Sequence, residues 1–284
     1  MHNAVLLEEA IDALAVQPGG RYIDGTAGEG GHTGAIVAHG GTVLAIDIDP
    51  EQIENLKKIF QGNQSVTTVE GNYADIQQIG ESHGFTEIDG ILVDFGLSMR
   101  QLKEAGKGLS FHKLDEPLDM RLTESIEVSA ADMLNSMAVA DLYELFMKYS
   151  EELYSFEIAK SVVSQRLKRK LATVQDLITA VDRGLHYENV KPGTDKIGTY
   201  ARIFQALRIA VNDEFTNIKK ALAGGFNLLK HGGRMVVITF HSLEDRIVKQ
   251  YAVKNNIKVL NKKVVRGDAM LRYERSAKMR VLIK

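Results

Sequence analysis

The chain has 284 residues, 44% of them hydrophobic, enough apolar side chain for a substantial core and too much for a disordered chain. It contains no cysteine, which excludes disulfides, thiolate metal sites and a cysteine nucleophile, and fits a reducing cytoplasm. The net charge of −2 hides an asymmetry: residues 1–140 hold 8 Lys+Arg against 22 Asp+Glu, and residues 141–284 hold 27 against 15, which leaves the second half either suited to an anionic partner or simply solvated.

The opening MHNAVLLEEAIDAL lacks the basic start, apolar run and small-residue cleavage site of a secretory signal. No apolar run approaches the roughly 18–20 residues of a membrane span, so a cytoplasmic protein without a membrane partner is expected. Short apolar runs follow turn formers at RYID (21–24), TVLAID (42–47), VTTVE (66–70) and GILVDF (90–95), and read as strands. Between them, 31–39, 50–61 and 74–83 read as helices, the second opened by Asp49-Pro50, a capping carboxylate before a proline at the first helical position. Strands alternating with helices predict βα units and a parallel sheet.

From about 128 to 185 the pattern is helical only. Ser129 with Asp132 and Thr173 with Asp176 have capping-box spacing, and Leu142, Leu145, Phe146 and Tyr149 recur at helical intervals. A loop over 186–199 and a long helix over 200–230 follow, then strands at 232–240, 257–265 and 278–284. The expected architecture is an α/β Rossmann-like sheet, built from 1–104 and 199–284, with a helical insertion over 105–198 placed for substrate recognition.

Open α/β sheets bind ligands beyond the carboxyl ends of their strands. Polar residues stand at those ends: Asp24 with the loop DGTAGEGGHTG, then Asp47, Asn72-Tyr73, Asp94 and His241-Ser242. The loop nearly spells the dinucleotide fingerprint G-x-G-x-x-G, but Thr33 takes the third glycine position. Asp47, 17 residues after Gly30, can accept both hydroxyls of an adenosine ribose, as in NAD or S-adenosylmethionine binding. A pyrophosphate needs the third glycine and would be repelled by Asp24, whereas a sulfonium or amino group would be attracted. The loop therefore favours S-adenosylmethionine, leaving S-adenosylhomocysteine as product, over NAD.

The segments DGTAGEGGHTG, LAIDIDP, IDGILVDFGLS with the following Gln101, EPLDMRL, ARIFQALRIAVNDEF and GGRMVVITFHSLEDRIVK occur in this order. Together they resemble the bacterial 16S ribosomal RNA cytosine-N4 methyltransferases of the MraW/RsmH type over nearly the whole chain. The resemblance implies a class I methyltransferase fold with an inserted helical domain. It also implies S-adenosylmethionine as donor, and as acceptor a decoding-region cytosine of 16S rRNA, free or in the small subunit. It carries donor contacts onto Gly30, Gly31, His32, Asp47, Tyr73, Asp94 and Gln101. The chain departs from the family's pattern at HNAVL, GLSM, KGLSF and LRYE, positions that bear on RNA contacts more than on the donor.

A cytosine amine is a poor nucleophile because its lone pair is conjugated with the ring, and acceptors at its protons favour the reactive form. Asp94 is the first candidate for that role, with holding the donor as its competing role; Ser98 could assist, and His241 is a further candidate at the base. No catalytic metal is expected, since no His/Asp/Glu cluster has ligand spacing. RNA contacts are expected from Arg166, Lys168, Arg169 and Lys170 in the insertion and from Lys262, Lys263, Arg266, Arg272, Arg275 and Lys278 in the tail. A homodimer is left open, and two rival readings stand: an NAD-dependent oxidoreductase, and a catalytically silent RNA-binding protein on the same fold.

Overall fold

A computed structural model describes residues 4–96, 106–186, 195–260, 263–271 and 274–284. The chain divides into two compact units, residues 1–96 with 215–284, and residues 97–214.

The first unit is an α/β domain on one twisted sheet. Strands β1 (Arg21–Asp24), β2 (Thr42–Asp47), β3 (Val66–Glu70), β4 (Ile88–Asp94) and β5 (Leu229–Thr239) run parallel in the order β3-β2-β1-β4-β5. β8 (Lys278–Ile283) lies antiparallel beside β5, and two short strands, β6 (Lys258–Val259) and β7 (Val265–Arg266), pair antiparallel with β8. The strand order reverses between β1 and β4, which makes their carboxyl ends the topological switch point.

The inner strands β1, β2 and β4 are largely apolar because both of their faces are covered. On β2, Val43 and Ala45 pack to one side with α1 (Leu7–Leu14), α2 (Gly31–Ala38) and α3 (Pro50–Ile59). Leu44 and Ile46 pack to the other with α4 (Ile76–Ser82), α10 (Glu214–Leu228) and α11 (Ser242–Lys254). Each buried valine, leucine or isoleucine side chain contributes about 1.5–3 kcal/mol relative to exposure. α3 begins where the sequence predicts, with Asp49 accepting from the Glu51 amide at 2.9 Å and proline in the first turn.

The second unit is helical: α5 (Ala130–Ser136), α6 (Val139–Ser150), α7 (Ser155–Arg166), α8 (Val174–Gly184) and α9 (Lys196–Val211). Both anticipated capping boxes form, Ser129 with Asp132 and Thr173 with Asp176. Leu142, Leu145 and Phe146 of α6 are buried in one core with Leu177 and Val181 of α8 and with Ile203, Phe204 and Leu207 of α9.

Three expectations need correction. The long helix over 200–230 is two helices, α9 and α10, broken at Asn212-Asp213, where Asp213 takes a left-handed φ of 47°. Asn212 is drawn into the helical unit: it accepts from the Leu122 amide and donates to the Met120 carbonyl, both at 2.9 Å. The unit boundary accordingly falls after Glu214 rather than at 199, because α9 buries its apolar face among α6 and α8. The single strand expected over 257–265 is instead the two short strands β6 and β7, both on β8. Arg208, which the sequence leaves unassigned, forms a bidentate pair with Glu214 at 2.7 and 2.9 Å.

Candidate cofactor-binding and active site

The carboxyl ends of β1, β2 and β4 bring Asp24, Asp47 and Asp94 to one edge of the sheet. Between β1 and α2 the loop doubles back through two glycines with positive φ, Gly28 at 50° and Gly30 at 84°. Only glycine adopts these angles without strain, and a Cβ on Gly30 would stand 2.8 Å from Leu56 Cδ2. The loop is stitched to its neighbours: the Gly28 amide donates to Asp47 Oδ2 at 2.7 Å, the Asp94 amide to Thr26 Oγ1 at 2.7 Å, and the Ala27 amide to the Ile46 carbonyl at 2.9 Å.

Thr33, where the dinucleotide fingerprint would have glycine, is fully buried and donates its hydroxyl to Asp24 Oδ2 at 2.7 Å. The Thr26 amide approaches the other oxygen of Asp24 at 3.3 Å. Asp24 thus lies sealed beneath the loop and anchors it. His32, 5% exposed, places Nε2 3.0 Å from the Val5 carbonyl oxygen.

All three carboxyls bind protons more tightly than usual. Burial pushes Asp47 up to about 6 against hydrogen bonds from the Asp49 and Gly28 amides, with Asp49 and Asp24 adding repulsion. Burial likewise pushes Asp94 up to about 6; His32 and the Gly96 amide oppose the rise, and Glu244 and Asp24 add to it. Asp24 is raised by burial, offset in part by His32 and Thr33. A cleft so rich in desolvated carboxylate suits a cationic ligand and opposes a pyrophosphate.

Residues 1–284 match the model of the MraW methylase family. The chain belongs to that family. It is 44% identical over 262 residues to the ribosomal RNA small subunit methyltransferase H of Dehalococcoides mccartyi, covering 89% of this chain and 71% of that protein. It is 39% identical over 286 residues to the protein of the same name from Deinococcus deserti, covering 99% and 92%. Among solved structures, NSun6 from Pyrococcus horikoshii with SFG superposes with a TM-score of 0.50 at 12% identity, over 99% of this chain and 52% of that one, a likeness of fold alone. The fold is the Rossmann-like one of class I methyltransferases, as the strand order requires, and membership of a methylase family sets the oxidoreductase reading aside.

In this member of the MraW methylase family the structure gathers Asp24, Gly30, Gly31, His32, Asp47 and Asp94 around the switch point. Tyr73 opens the turn after β3, where Asn72 caps by accepting from the Ala74 amide at 2.8 Å, and its ring packs 5.3 Å from that of Phe95, next to Asp94. Ser98 and Gln101, like Lys262 and Arg272 of the tail, lie outside the described residues. Asp94 Oδ1 accepts from the Gly96 amide at 3.0 Å, and among the described residues Oδ2 has no hydrogen bond.

His241 caps α11: its Nδ1 accepts from the Glu244 amide at 3.4 Å, and Nε2 sits 2.9 Å from Glu244 Oε1 without the alignment of a hydrogen bond. Glu244, 1% exposed, also accepts from the amides of Phe240 and His241 at 2.7 and 3.2 Å. Sequence reasoning passed over Thr26 and Glu244, and read Thr33 only as a departure from the glycine fingerprint. Glu244 carried a signal, since it stands three residues after His241 in capping-box spacing; the roles of Thr26 and Thr33 needed the folded loop. Among the described residues no cluster of three potential metal ligands occurs, and no helix is long and apolar enough to cross a membrane.

Proposed function

We propose that this protein transfers a methyl group from S-adenosylmethionine to the exocyclic N4 of a cytosine in the decoding region of 16S ribosomal RNA. The observation that carries the donor is the convergence of Asp24, Asp47 and Asp94 under a glycine loop whose third fingerprint position is Thr33, a negative cleft fitted to a sulfonium and an α-amino group. The acceptor rests on the relatives, which are named ribosomal RNA small subunit methyltransferases, and the N4 position on the motif resemblance.

In this reading Asp47 accepts from the ribose hydroxyls while the Gly28 amide fixes its carboxylate. Gly30, Gly31 and His32 at the start of α2 border the amino-acid end of the donor, with Asp24 holding the loop from beneath through Thr26 and Thr33. Tyr73 and Phe95 form an aromatic wall, and Gln101 completes the donor contacts. When bound, S-adenosylmethionine supplies a methyl group activated on a sulfonium.

Asp94 is the residue suited to the acceptor. Its Oδ1 is tied to the Gly96 amide, which leaves Oδ2 to accept a proton of the cytosine amine. A carboxyl raised to about 6 takes up a proton near neutrality more readily than an ordinary aspartate, and no metal or covalent adduct is needed for attack by nitrogen. Ser98 is assigned to assist at the amine. His241 is given the edge of the base pocket rather than the proton, because its ring is engaged with its own helix and Glu244. The helical unit is assigned to substrate recognition.

The deciding experiment is mass spectrometry of 16S rRNA methylated in vitro by the purified protein with labelled donor. Label on N4 of one decoding-region cytosine is expected, and it disappears with Asp94→Ala. Donor binding without label transfer to any RNA would instead support the catalytically silent RNA-binding protein.

A further inference from the structure

Two basic segments compete as the surface that meets the RNA, and the structure separates them. In the helical unit Arg166 is spent inside the fold, its Nη1 donating to the carbonyls of Leu134 and Met137 at 2.8 and 2.6 Å, where α5 ends. Arg169 lies 4.0 Å from Asp176. Only Lys168 and Lys170 of that run are exposed without an acidic partner among the described residues.

The tail differs. Residues 258–284 hold nine Lys and Arg against two acids, while the rest of the chain holds 26 against 35. Both acids are occupied by backbone: Glu274 accepts from the amides of Leu6 and Asp268 at 3.0 and 3.2 Å, and Asp268 from Met270 at 2.8 Å. Arg280 is paired with Asp245 at 2.5 Å. Lys263, Arg266 and Arg275 are exposed and Lys278 half-exposed, and among the described residues none of the four has an acidic partner.

Their position follows from strand register. Asp94 aligns with Ile238 of β5, and Ile238 with Met279 of β8. One residue further along, Thr239 aligns with Lys278, and Lys278 with Arg266 of β7. Lys278 and Arg266 therefore border the same sheet edge as Asp94, two and three strands away from it, with Arg275 in the turn that leads into β8 and Lys263 just before β7. The segment is also joined to the donor loop through Glu274, Leu6 and Val5, whose carbonyl meets His32.

We infer that Lys263, Arg266, Arg275 and Lys278 form the surface that grips the phosphate backbone of the RNA beside the target base. The inference rests on the reading of the protein as an RNA methyltransferase and adds where that RNA docks. Each phosphate contact contributes about 0.7–0.9 to the slope of log affinity against log salt. Neutralising all four cations should lower the magnitude of the slope by about 3.

The test is fluorescence anisotropy of a labelled decoding-region fragment of 16S rRNA, with purified small subunits as a second arm, across a KCl series. The proteins compared are the wild type, K263Q/R266Q/R275Q/K278Q, the loop-only variant K263Q/R275Q, which touches no strand, and K168Q/R169Q/K170Q. S-adenosylmethionine affinity, read by calorimetry, reports an intact fold. The expected result is a slope lower by about 3 in the quadruple and by about 1.5 in the loop-only variant, a smaller change in the helical-unit variant, and donor affinity retained. A response confined to the subunit arm keeps the surface and makes the assembled particle its partner. An unchanged slope in the loop-only variant, or a larger loss from the helical-unit variant, overturns the surface while leaving the methyltransferase reading standing. A wild type that binds neither RNA overturns both.

Discussion

Substituting Asp94 by Asn should make the donor-free protein more stable at neutral pH while damaging its function. Asp94 is raised from 3.8 to about 6 chiefly by burial, so the fold favours its protonated form. Stability from this group is therefore fully present below about pH 4 and is lost as pH rises through about 6. A rise of about two pH units at about 1.4 kcal/mol each sets a ceiling of about 3 kcal/mol on the cost at pH 7.5. Asp94 keeps some opening to solvent, so a gain of about 1–2 kcal/mol is expected from the neutral amide, whose oxygen can still accept from Gly96. That corresponds to a rise in Tm of roughly 3–6 °C. The assay is thermal unfolding without donor from pH 4 to 8. Asp94→Asn should melt higher at pH 7.5, the gap should close by pH 4, and methyl transfer should fall by at least about 100-fold. An equal or lower Tm for the variant at pH 7.5, or a gap that does not shrink with acid, would refute the assignment of desolvated charge to this site.

Donor affinity should rise with pH through about 6 and level off above 7, as Asp47 ionises to accept from the ribose and Asp94 adds negative charge to the cleft around a cationic donor; a Kd for S-adenosylmethionine that is flat from pH 5 to 8 contradicts this. Asp47→Ala removes a charged acceptor and should weaken that Kd by roughly 10–100-fold in calorimetry, with the RNA salt slope unchanged. Gly30→Ala should cost at least about 1–2 kcal/mol, since alanine at a φ of 84° also drives its Cβ to 2.8 Å from Leu56; its Tm reads the loss. Arg208→Ala strands Glu214, 5% exposed, without its bidentate partner and should destabilise by about 3–5 kcal/mol in chemical denaturation. Full stability in that variant would show that the pair is not buried in solution.

The parallel strands, and the sheet edge at which Asp24, Asp47 and Asp94 gather, could be read from local sequence. Strands at 21–24 and 42–47 and the helix start at Asp49-Pro50 were legible because apolar runs, turn formers and caps are local signals. Asp24, Asp47 and Asp94 were legible because a parallel sheet puts strand ends on one side, whatever its details. Tertiary structure decided what each carboxylate meets. Thr33 reads as an error in a glycine fingerprint until the loop closes and its hydroxyl lands on Asp24. The helix over 200–230 reads as continuous because nothing in its own periodicity reports that Asn212 will be held by Leu122 and Met120, some 90 residues away. The two basic segments look alike in composition. The fold alone shows that Arg166 is consumed by carbonyls at the end of α5, whereas Arg266 and Lys278 stand paired by register at the sheet edge that also carries Asp94. Local patterns set which elements form; long-range contacts, which no window of sequence contains, set which of their polar groups remain available for a ligand.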